Sequence, residues 1–178
     1  MEDKTKKNLA KDKLEFVSSF ITNKEGKVLL LKRMNSLKLD PGKYDLCSGH
    51  IKEGEAPTQA MYREIEEELG ISFDEIKKLE LMGIIETPHK KLAHTLTHIY
   101  DVVIDISEEE LNKRVKNVSE PEIESVKYID SIEVLRDMIN KTEDFRTTYT
   151  VQLGYCLEGI ETRIQMRKDE KRGICQEK

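Results

Sequence analysis

Short apolar runs separated by polar turns dominate much of the chain and predict β-strands. The turn signal at Asn23–Gly26 lies between the first two runs, which are therefore expected to form a hairpin. The breaker Asp40-Pro41-Gly42 predicts a loop after the second run. Strands are predicted at 15–22, 27–33, 44–48, 81–86, 94–105 and 124–129.

A period of about 3.6 residues replaces this strand pattern at 56–69 and predicts a helix. Met61, Ile65 and Leu69 form its apolar stripe, and Gly70 is typical of a helix end. Strands before and after a central helix, with helices at the end, predict a mixed α/β layer architecture. The other predicted helices are 131–140 and 147–166, and 107–118 is either a short helix or a loop.

The predicted central helix has an acidic side. Glu64, Glu67 and Glu68 are spaced as i, i+3 and i+4, so their like charges share one face and repel each other. Hard divalent cations, which take oxygen ligands, are the expected compensation. Ala56 and Ala60 fall on the same side, where small side chains are expected to leave room for a ligand.

Length and composition indicate one domain and restrict its partners. A chain of 178 residues can bury a core as a single domain, with a flexible segment at 1–12 and a C-terminal helical segment at 145–178. The formal net charge of −5 disfavours a nucleic-acid polymer as partner, because such proteins need a basic face. It remains compatible with a small anionic substrate held by local lysines and metal.

The sequence also predicts a cytoplasmic protein. No apolar run approaches the roughly 20 residues needed to span a membrane, and the first residues lack the apolar core of a signal peptide. Cys47, Cys156 and Cys175 are widely spaced without a CxxC pair, which indicates a reducing compartment and no structural zinc site.

One motif supplies most of the functional information. It reads Gly, five residues, Glu, seven residues, then Arg-Glu-aliphatic-any-Glu-Glu-any-Gly-aliphatic. Its fixed positions are Gly49, Glu55, Arg63, Glu64, Ile65, Glu67, Glu68, Gly70 and Ile71. At each of them the chain resembles the signature of the Nudix hydrolases. The resemblance implies an α/β/α sandwich with a mixed β-sheet. It also implies hydrolysis of a diphosphate linked to another moiety, by water attack at phosphorus with Mg²⁺ or Mn²⁺.

The resemblance also implies roles for the motif residues. Glu64, Glu67 and Glu68 are the expected metal ligands, and Glu64, Glu67 and Arg63 are the expected catalytic residues. The backbone of Gly49, which lacks a Cβ, can come close to the metal or a phosphate. Glu55 is expected to pair with Arg63 and hold the loop against the helix, and it is also a candidate for substrate binding.

Further candidates lie outside the helix. Lys32, Arg33 and His50 are candidate substrate contacts, although a basic strand end and a surface histidine are the simpler interpretations. The general base is either a glutamate of the motif or an acid on the loop after the last long strand. Glu120, Glu122 and Glu124 are the candidates on that loop, with Glu122 or Glu120 preferred.

A narrower resemblance concerns the residues around Asp40–Asp45 and Cys47–His50. They resemble type 1 isopentenyl-diphosphate isomerases and hydrolases close to them. Those isomerases place a catalytic cysteine immediately before the glycine, where this chain has Ser48. A slip of one residue in a strand turns the side chain to the other face, so hydrolysis is preferred over isomerisation.

Three functions therefore stay open. The leading one is hydrolysis of a nucleoside diphosphate derivative or a similar small molecule. Isopentenyl-diphosphate isomerisation is the second, and a non-catalytic ligand-sensing domain is the third. The intact motif counts against the sensing domain, because a sensor need not keep catalytic acids. Members of this family are often dimers, so a homodimer is included among the expected assemblies.

Overall fold

The computed structural model describes residues 13–88, 94–130 and 161–169, with the single residues 136 and 159. The strands are β1 (Lys13–Thr22), β2 (Val28–Arg33), β3 (Tyr44–Asp45), β4 (Ser48–His50), β5 (Ile76–Pro88), β6 (His94–Ile104) and β7 (Ile123–Ile129). The helices are α1 (Pro57–Leu69), α2 (Glu108–Arg114) and α3 (161–169). The predicted flexible segment, and most of the two predicted C-terminal helices, lie outside the described residues.

The strands form one seven-stranded mixed sheet, in the order β3-β2-β1-β6-β5, with β4 added on β1 and β7 on β2. β1 runs parallel to β6 along its whole length, and the other pairs are antiparallel. β1 and β2 pair where they leave the predicted turn, at Thr22 and Val28. Further along, β1 pairs with β4 instead, so β1 positions the strand that leads into the motif loop.

Each face of the sheet has its own hydrophobic cluster. Met61, Ile65 and Leu69 of α1 are fully buried in the first cluster, as their spacing predicts. On the other face, Ile164 of α3 packs in a cluster with Phe20 and several other sheet residues. Helices therefore cover both faces, and the α/β sandwich with a mixed sheet is confirmed. No helix among the described residues is long and apolar enough to cross a bilayer.

Four predicted strands agree with the structure to within two residues at each end, and two differ by more. The predicted strand 44–48 is divided into β3 and β4, because the Asp45 side chain accepts a hydrogen bond from the backbone N–H of Leu46 at 2.9 Å and interrupts the ladder. β5 begins five residues earlier than predicted and contains a bulge between Leu81 and Gly83. An unpredicted 3₁₀ helix, Phe73–Glu75, connects α1 to β5.

Candidate metal and catalytic site

Local interactions fix both ends of α1. The side chain of Gln59 accepts a hydrogen bond from the N–H of Ala56 at 3.1 Å, which satisfies a backbone donor that the first turn leaves unpaired. Gly70 ends the helix in the left-handed conformation, at φ 63°, where a glycine is favoured. Its N–H donates to the carbonyl of Glu66 at 2.9 Å. These caps set which residues face the sheet and which face the motif loop.

Arg63 joins the helix to the motif loop. It donates from Nε and Nη2 to the two carboxylate oxygens of Glu55, at 2.8 and 2.9 Å, and from Nη2 to the carbonyl of His50 at 2.8 Å. The predicted pairing of Arg63 with Glu55 is therefore present. Glu55 also accepts from the N–H of Lys52, and the hydrogen bond from Arg63 is the main cause that lowers the pKa of Glu55 to about 2.

The same guanidinium also binds two of the predicted metal ligands. Nη1 of Arg63 donates to Glu64 at 2.6 Å and to Glu67 at 2.9 Å. Glu67 is half-exposed and has a second cationic partner, with Nζ of Lys52 at 3.4 Å. One guanidinium is therefore shared among three carboxylates, and the hydrogen bond to Glu55 is the main cause that raises the pKa of Arg63.

Gly49 permits the close approach of Glu64 to the sheet. Gly49 lies in β4 opposite Val17, and a Cβ on Gly49 would stand 2.0 Å from the carboxyl carbon of Glu64. No side chain larger than hydrogen fits there unless Glu64 moves. The carboxyl group of Glu64 is held in a largely desolvated position, where burial raises its pKa.

Glu68 has a buried carboxylate oxygen without a partner. Its Oε2 is shielded from solvent and makes no hydrogen bond, while the Cys47 thiol and the Ser48 N–H bond to the carboxylate. Burial, followed by the negative charge of Asp45, raises the pKa of Glu68 well above its ordinary value. An unsatisfied buried oxygen of this kind is costly unless a ligand supplies the missing interaction.

One expectation about the acidic side was wrong. Ala60 does not leave room for a ligand, because it is fully buried in the cluster between α1 and the sheet. Ala60, Glu64 and Glu68 follow one another at i, i+4 and i+8, so this line of the helix turns toward the sheet. Glu67 instead points outward, and the three glutamates therefore have different exposure.

The donors fit a hard divalent cation, although the described side chains do not yet surround one. In that part of the chain, no three His, Cys, Asp or Glu side chains converge in a geometry that could hold a metal. The fit is seen in the chemistry of Glu64 and Glu68, which offer carboxylate oxygens where burial disfavours their charge. The unpartnered Oε2 of Glu68, and the close approach of the Glu64 carboxyl group to the backbone at Gly49, are consistent with this use.

The other predicted site residues form a second group at the β2 and β7 ends. Arg33 is buried and lies between two carboxylates, with Nη1 at 3.4 Å from Asp45 and Nη2 at 3.8 Å from Glu122. Lys32 is more exposed and pairs with Glu124 at 2.9 Å. Glu122 thus makes its ion pair with Arg33, and within the described residues its carboxylate does not contact the α1 glutamates.

Asp45 was missed from the sequence, although it links the two groups. It pairs with Arg33, and its charge acts on Glu68. The sequence offered one indication of its role, namely an acidic residue between Tyr44 and Leu46 in a short apolar run. His50 takes part through its backbone carbonyl, while its ring packs on Phe16 with the centroids 4.1 Å apart.

Comparisons with known proteins agree with this picture. The family model described as NUDIX domain matches residues 15–148. An uncharacterised Nudix hydrolase from Nostoc sp. is 30% identical over 90 residues, which are 50% of this chain and 52% of that protein. The crystal structure of DR0079 from Deinococcus radiodurans has the same fold, with a TM-score of 0.64 and 19% identity over 80% of this chain and 82% of that one.

The isomerase-like branch has weaker support. An isopentenyl-diphosphate Delta-isomerase from Corynebacterium diphtheriae is 37% identical over 60 residues, which are 33% of each chain. The chain spans about half the length of the Nostoc relative and a third of the length of the isomerase. The match to the isomerase is thus partial, and only the wider family relationship extends over most of the chain.

Proposed function

Because this chain belongs to the Nudix family, whose domain matches residues 15–148, we propose that it hydrolyses a diphosphate linkage with the help of Mg²⁺ or Mn²⁺. The substrate class is a nucleoside diphosphate derivative or a similar small molecule. The proposal includes a single domain over 1–178, no nucleic-acid polymer as partner, and a cytoplasmic location. A homodimer is the assembly that we would test first.

The excess of carboxylates on α1 and its loop is the observation that supports the proposal. Glu55, Glu64 and Glu67 share the guanidinium of Arg63, and Glu68 has no cationic partner of its own among the contacts described above. A diphosphate is also anionic, so it can approach these groups only with cations between the two sets of charges. A bound divalent cation would polarise a phosphoryl oxygen and lower the pKa of a water molecule.

Different residues would bind the cation, hold Arg63 in place and contact the substrate. Glu64, Glu67 and Glu68 would hold the cation, next to the backbone of Gly49. Glu64 and Glu67 would then leave Nη1 of Arg63, while Glu55 and the carbonyl of His50 keep that guanidinium in place. Lys32, which is partly exposed at the end of β2 and pairs with Glu124, would contact a phosphate.

Glu122 is the proposed general base. Its carboxylate is half-exposed beside Arg33, so solvent can reach it, and Arg33 also pairs with Asp45, whose charge acts on Glu68. It would take a proton from the attacking water as the new P–O bond forms. The bond from phosphorus to the leaving phosphate oxygen would break, and that oxygen would keep the electron pair. Arg33 is buried, so we assign it to holding Glu122 and Asp45.

The position of Cys47 favours hydrolysis over isomerisation. Cys47 is fully buried in the cluster beneath α1, and burial, followed by the charge of Glu68, raises the pKa of its thiol. A thiol in this position is not accessible to an isoprenoid substrate. The isomerase alternative predicts conversion of isopentenyl to dimethylallyl diphosphate without release of phosphate, and such conversion would contradict the hydrolase assignment.

The main test replaces Glu67 with Gln and uses Glu66→Gln as the matched control. The assay screens nucleoside diphosphate sugars, dinucleoside polyphosphates, NADH, CoA and nucleoside triphosphates with Mg²⁺ or Mn²⁺. Glu67→Gln should lower kcat by at least about a hundredfold, because it removes a ligand to the cation. Glu66→Gln should stay within about twofold, because Glu66 is exposed and makes no side-chain contact with Arg63.

Thermal unfolding with and without Mg²⁺ supplies a readout that does not need turnover. The cation should raise the unfolding temperature of the wild type, because it binds only the folded site. The increase should be smaller in Glu67→Gln and unchanged in Glu66→Gln. Full activity and a full Mg²⁺ shift in Glu67→Gln would show that Glu67 is not a metal ligand.

A further inference from the structure

β5 forms one edge of the sheet and is the longest of its strands. It has 13 residues, and among the described strands it pairs with β6 alone. The backbone N–H and C=O groups that point away from β6 therefore have no partner strand within the described part of the chain. Such an edge is a template for pairing with a further strand.

Two apolar side chains on this edge strand are exposed. Leu81 is 46% exposed and Ile84 is 54% exposed. Leu81 pairs with Tyr100, which is in the cluster under α1, and Ile84 pairs with His98, two residues away in the same strand. Residues opposite each other in a ladder share a face, and so do residues two apart in a strand. Leu81 and Ile84 therefore lie on the α1 face of the sheet, beyond the part that the helix covers.

The bulge in β5 gives this strand a pattern of faces that is the same from either end. Its residues on the α1 face, as their partners in β6 show, are Leu79, Leu81, Ile84 and Glu86. Its residues on the α3 face are Glu80, Met82, Gly83 and Ile85. Because Met82 and Gly83 share a face, the pattern is symmetric about the point between them. A regular strand, in which the faces alternate strictly, has no such symmetry between two residues.

We infer that two copies of the chain pair through β5, antiparallel and about a two-fold axis between Met82 and Gly83. In this register every residue of the central part meets a residue of the same face. Leu81 of one copy lies opposite Ile84 of the partner subunit, and this contact occurs twice. The inference rests on the homodimer included in the proposed function, and it assigns the interface of that homodimer.

The register is complementary in shape and in apolar character. The exposed side chains of Leu81 and Ile84 from the two copies would form one apolar strip across the axis and shield each other from water. Each Met82 would lie opposite a Gly83, a long side chain beside a position without one. A Cβ on Gly83 would meet nothing within 4 Å, so space is available there. Glycine in a strand often marks a place where another backbone comes close.

The charges of β5 also favour a second copy in the antiparallel direction. The strand begins with Lys77 and Lys78 and has Glu86 near its end, and all three residues are exposed. Antiparallel pairing brings the basic end of each copy next to the acidic end of the other. A parallel arrangement would instead bring like charges together, which is unfavourable. The edge is therefore complementary to itself in one direction only.

The test measures the oligomeric state of the full chain by analytical ultracentrifugation over a range of protein concentrations. Leu81→Lys and Ile84→Glu are the single variants. Each should weaken the dimer at least about tenfold, because a charge is buried against an apolar side chain at two symmetric positions. Leu39→Lys is the matched control, because Leu39 is 58% exposed in the loop after β2, and it should leave the dissociation constant unchanged.

Combining Leu81→Lys with Ile84→Glu tests the register itself. Each introduced lysine would lie opposite an introduced glutamate of the partner subunit, so the double variant should recover most of the affinity that the single variants lose. A folding defect cannot produce such a recovery. Circular dichroism would show that every variant is folded, as expected for substitutions at exposed positions.

The possible failures can be distinguished from one another. A wild-type dimer that neither single variant weakens would overturn the β5 interface and leave the homodimer standing. A wild type that is monomeric at every concentration would overturn both, and would leave the edge to a different protein. Weakening by both single variants without recovery in the double variant would overturn the proposed pairing. None of these measurements uses turnover, so the hydrolase assignment is decided separately by its own assay.

Discussion

Acidic groups are buried on both faces of the sheet, but the balance of charge differs. One face has several cations around one carboxylate, and the other has one cation shared among several carboxylates. On the α3 side, Asp101 is only 4% exposed and is surrounded by Arg167, by Arg163 at 3.5 Å and by Lys78 at 3.5 Å. On the α1 side, Arg63 is the cation that three carboxylates share, and Glu68 keeps an unpartnered oxygen.

This difference indicates two roles. The ion pairs around Asp101 stabilise the fold, whereas the carboxylates on the α1 face need a bound cation to balance their charge. The cations around Asp101 compensate its charge within the protein, and they attach α3 to the sheet. The carboxylates of α1 are not compensated in this way, and burial raises the pKa of both Glu64 and Glu68. Carboxyl groups whose pKa values are raised in this way are typical of functional sites. Substitutions on the α1 face should therefore affect activity, and those at Asp101 should affect stability.

The largest expected effect is that of Gly49→Ala. The added methyl group would stand 2.0 Å from the Glu64 carboxyl group and force it out of position. We expect kcat to fall by about 10³-fold, which corresponds to about 4 kcal/mol. Gly83→Ala is the matched control, because Gly83 is also in a strand and a Cβ there meets nothing within 4 Å. Equal kinetics for the two variants would mean that the position of Glu64 does not matter.

Asp101→Asn should produce the next largest effect, and it should be an effect on stability. Removing the carboxylate leaves Arg167 and Arg163 without their shared partner, so we expect the free energy of unfolding in urea to fall by about 2–3 kcal/mol. The kcat of the folded protein should change by less than about twofold. The control is Asp105→Asn, because Asp105 pairs with Lys24 at an exposed site, where ion pairs contribute little.

A large loss of kcat in folded Asp101→Asn would remove the distinction between the two faces. It would mean that the ion pairs on the α3 side affect the rate of the reaction as well as the stability of the fold. Equal destabilisation by Asp105→Asn would instead mean that burial at Asp101 adds nothing to the strength of its interactions.

The sequence predicted α1 well, because the relevant signals are local. The stripe of Met61, Ile65 and Leu69 follows the period of a helix, and Gly70 marks its end. The pairing of Arg63 with Glu55 was implied by the family resemblance. Its geometry also requires the motif loop to fold back onto the helix, which no periodicity encodes.

The environment of Glu68 could not be predicted in the same way. It depends on how close α1 lies to the sheet, which places Ala60 in the core and the Glu68 carboxylate beside Cys47. The partners of Arg33 likewise depend on strand register, since β3 and β7 approach it from opposite edges of β2. The roles of the metal ligands and of the general base stay predictions.

The smallest expected effect concerns Glu55, which is on the α1 face but is well paired. Glu55→Gln keeps the size of the side chain and weakens the two hydrogen bonds from Arg63. We expect a loss of about 1 kcal/mol in the free energy of unfolding at neutral pH, because the pair is near the surface. Urea unfolding of the wild type and of Glu55→Gln at several pH values would measure it.

The pH dependence gives this prediction its sign. Arg63 lowers the pKa of Glu55 from an ordinary value of 4.5 to about 2. A lowered pKa means that the stabilisation is complete above pH 4.5 and is lost as the pH falls toward 2. The difference between the wild type and Glu55→Gln should thus be constant at neutral pH and shrink within that range. A difference that grows on acidification would contradict the ion pair with Arg63 as the source of this stabilisation, and would place Glu55 with Glu64 and Glu68, whose pKa values are raised by burial.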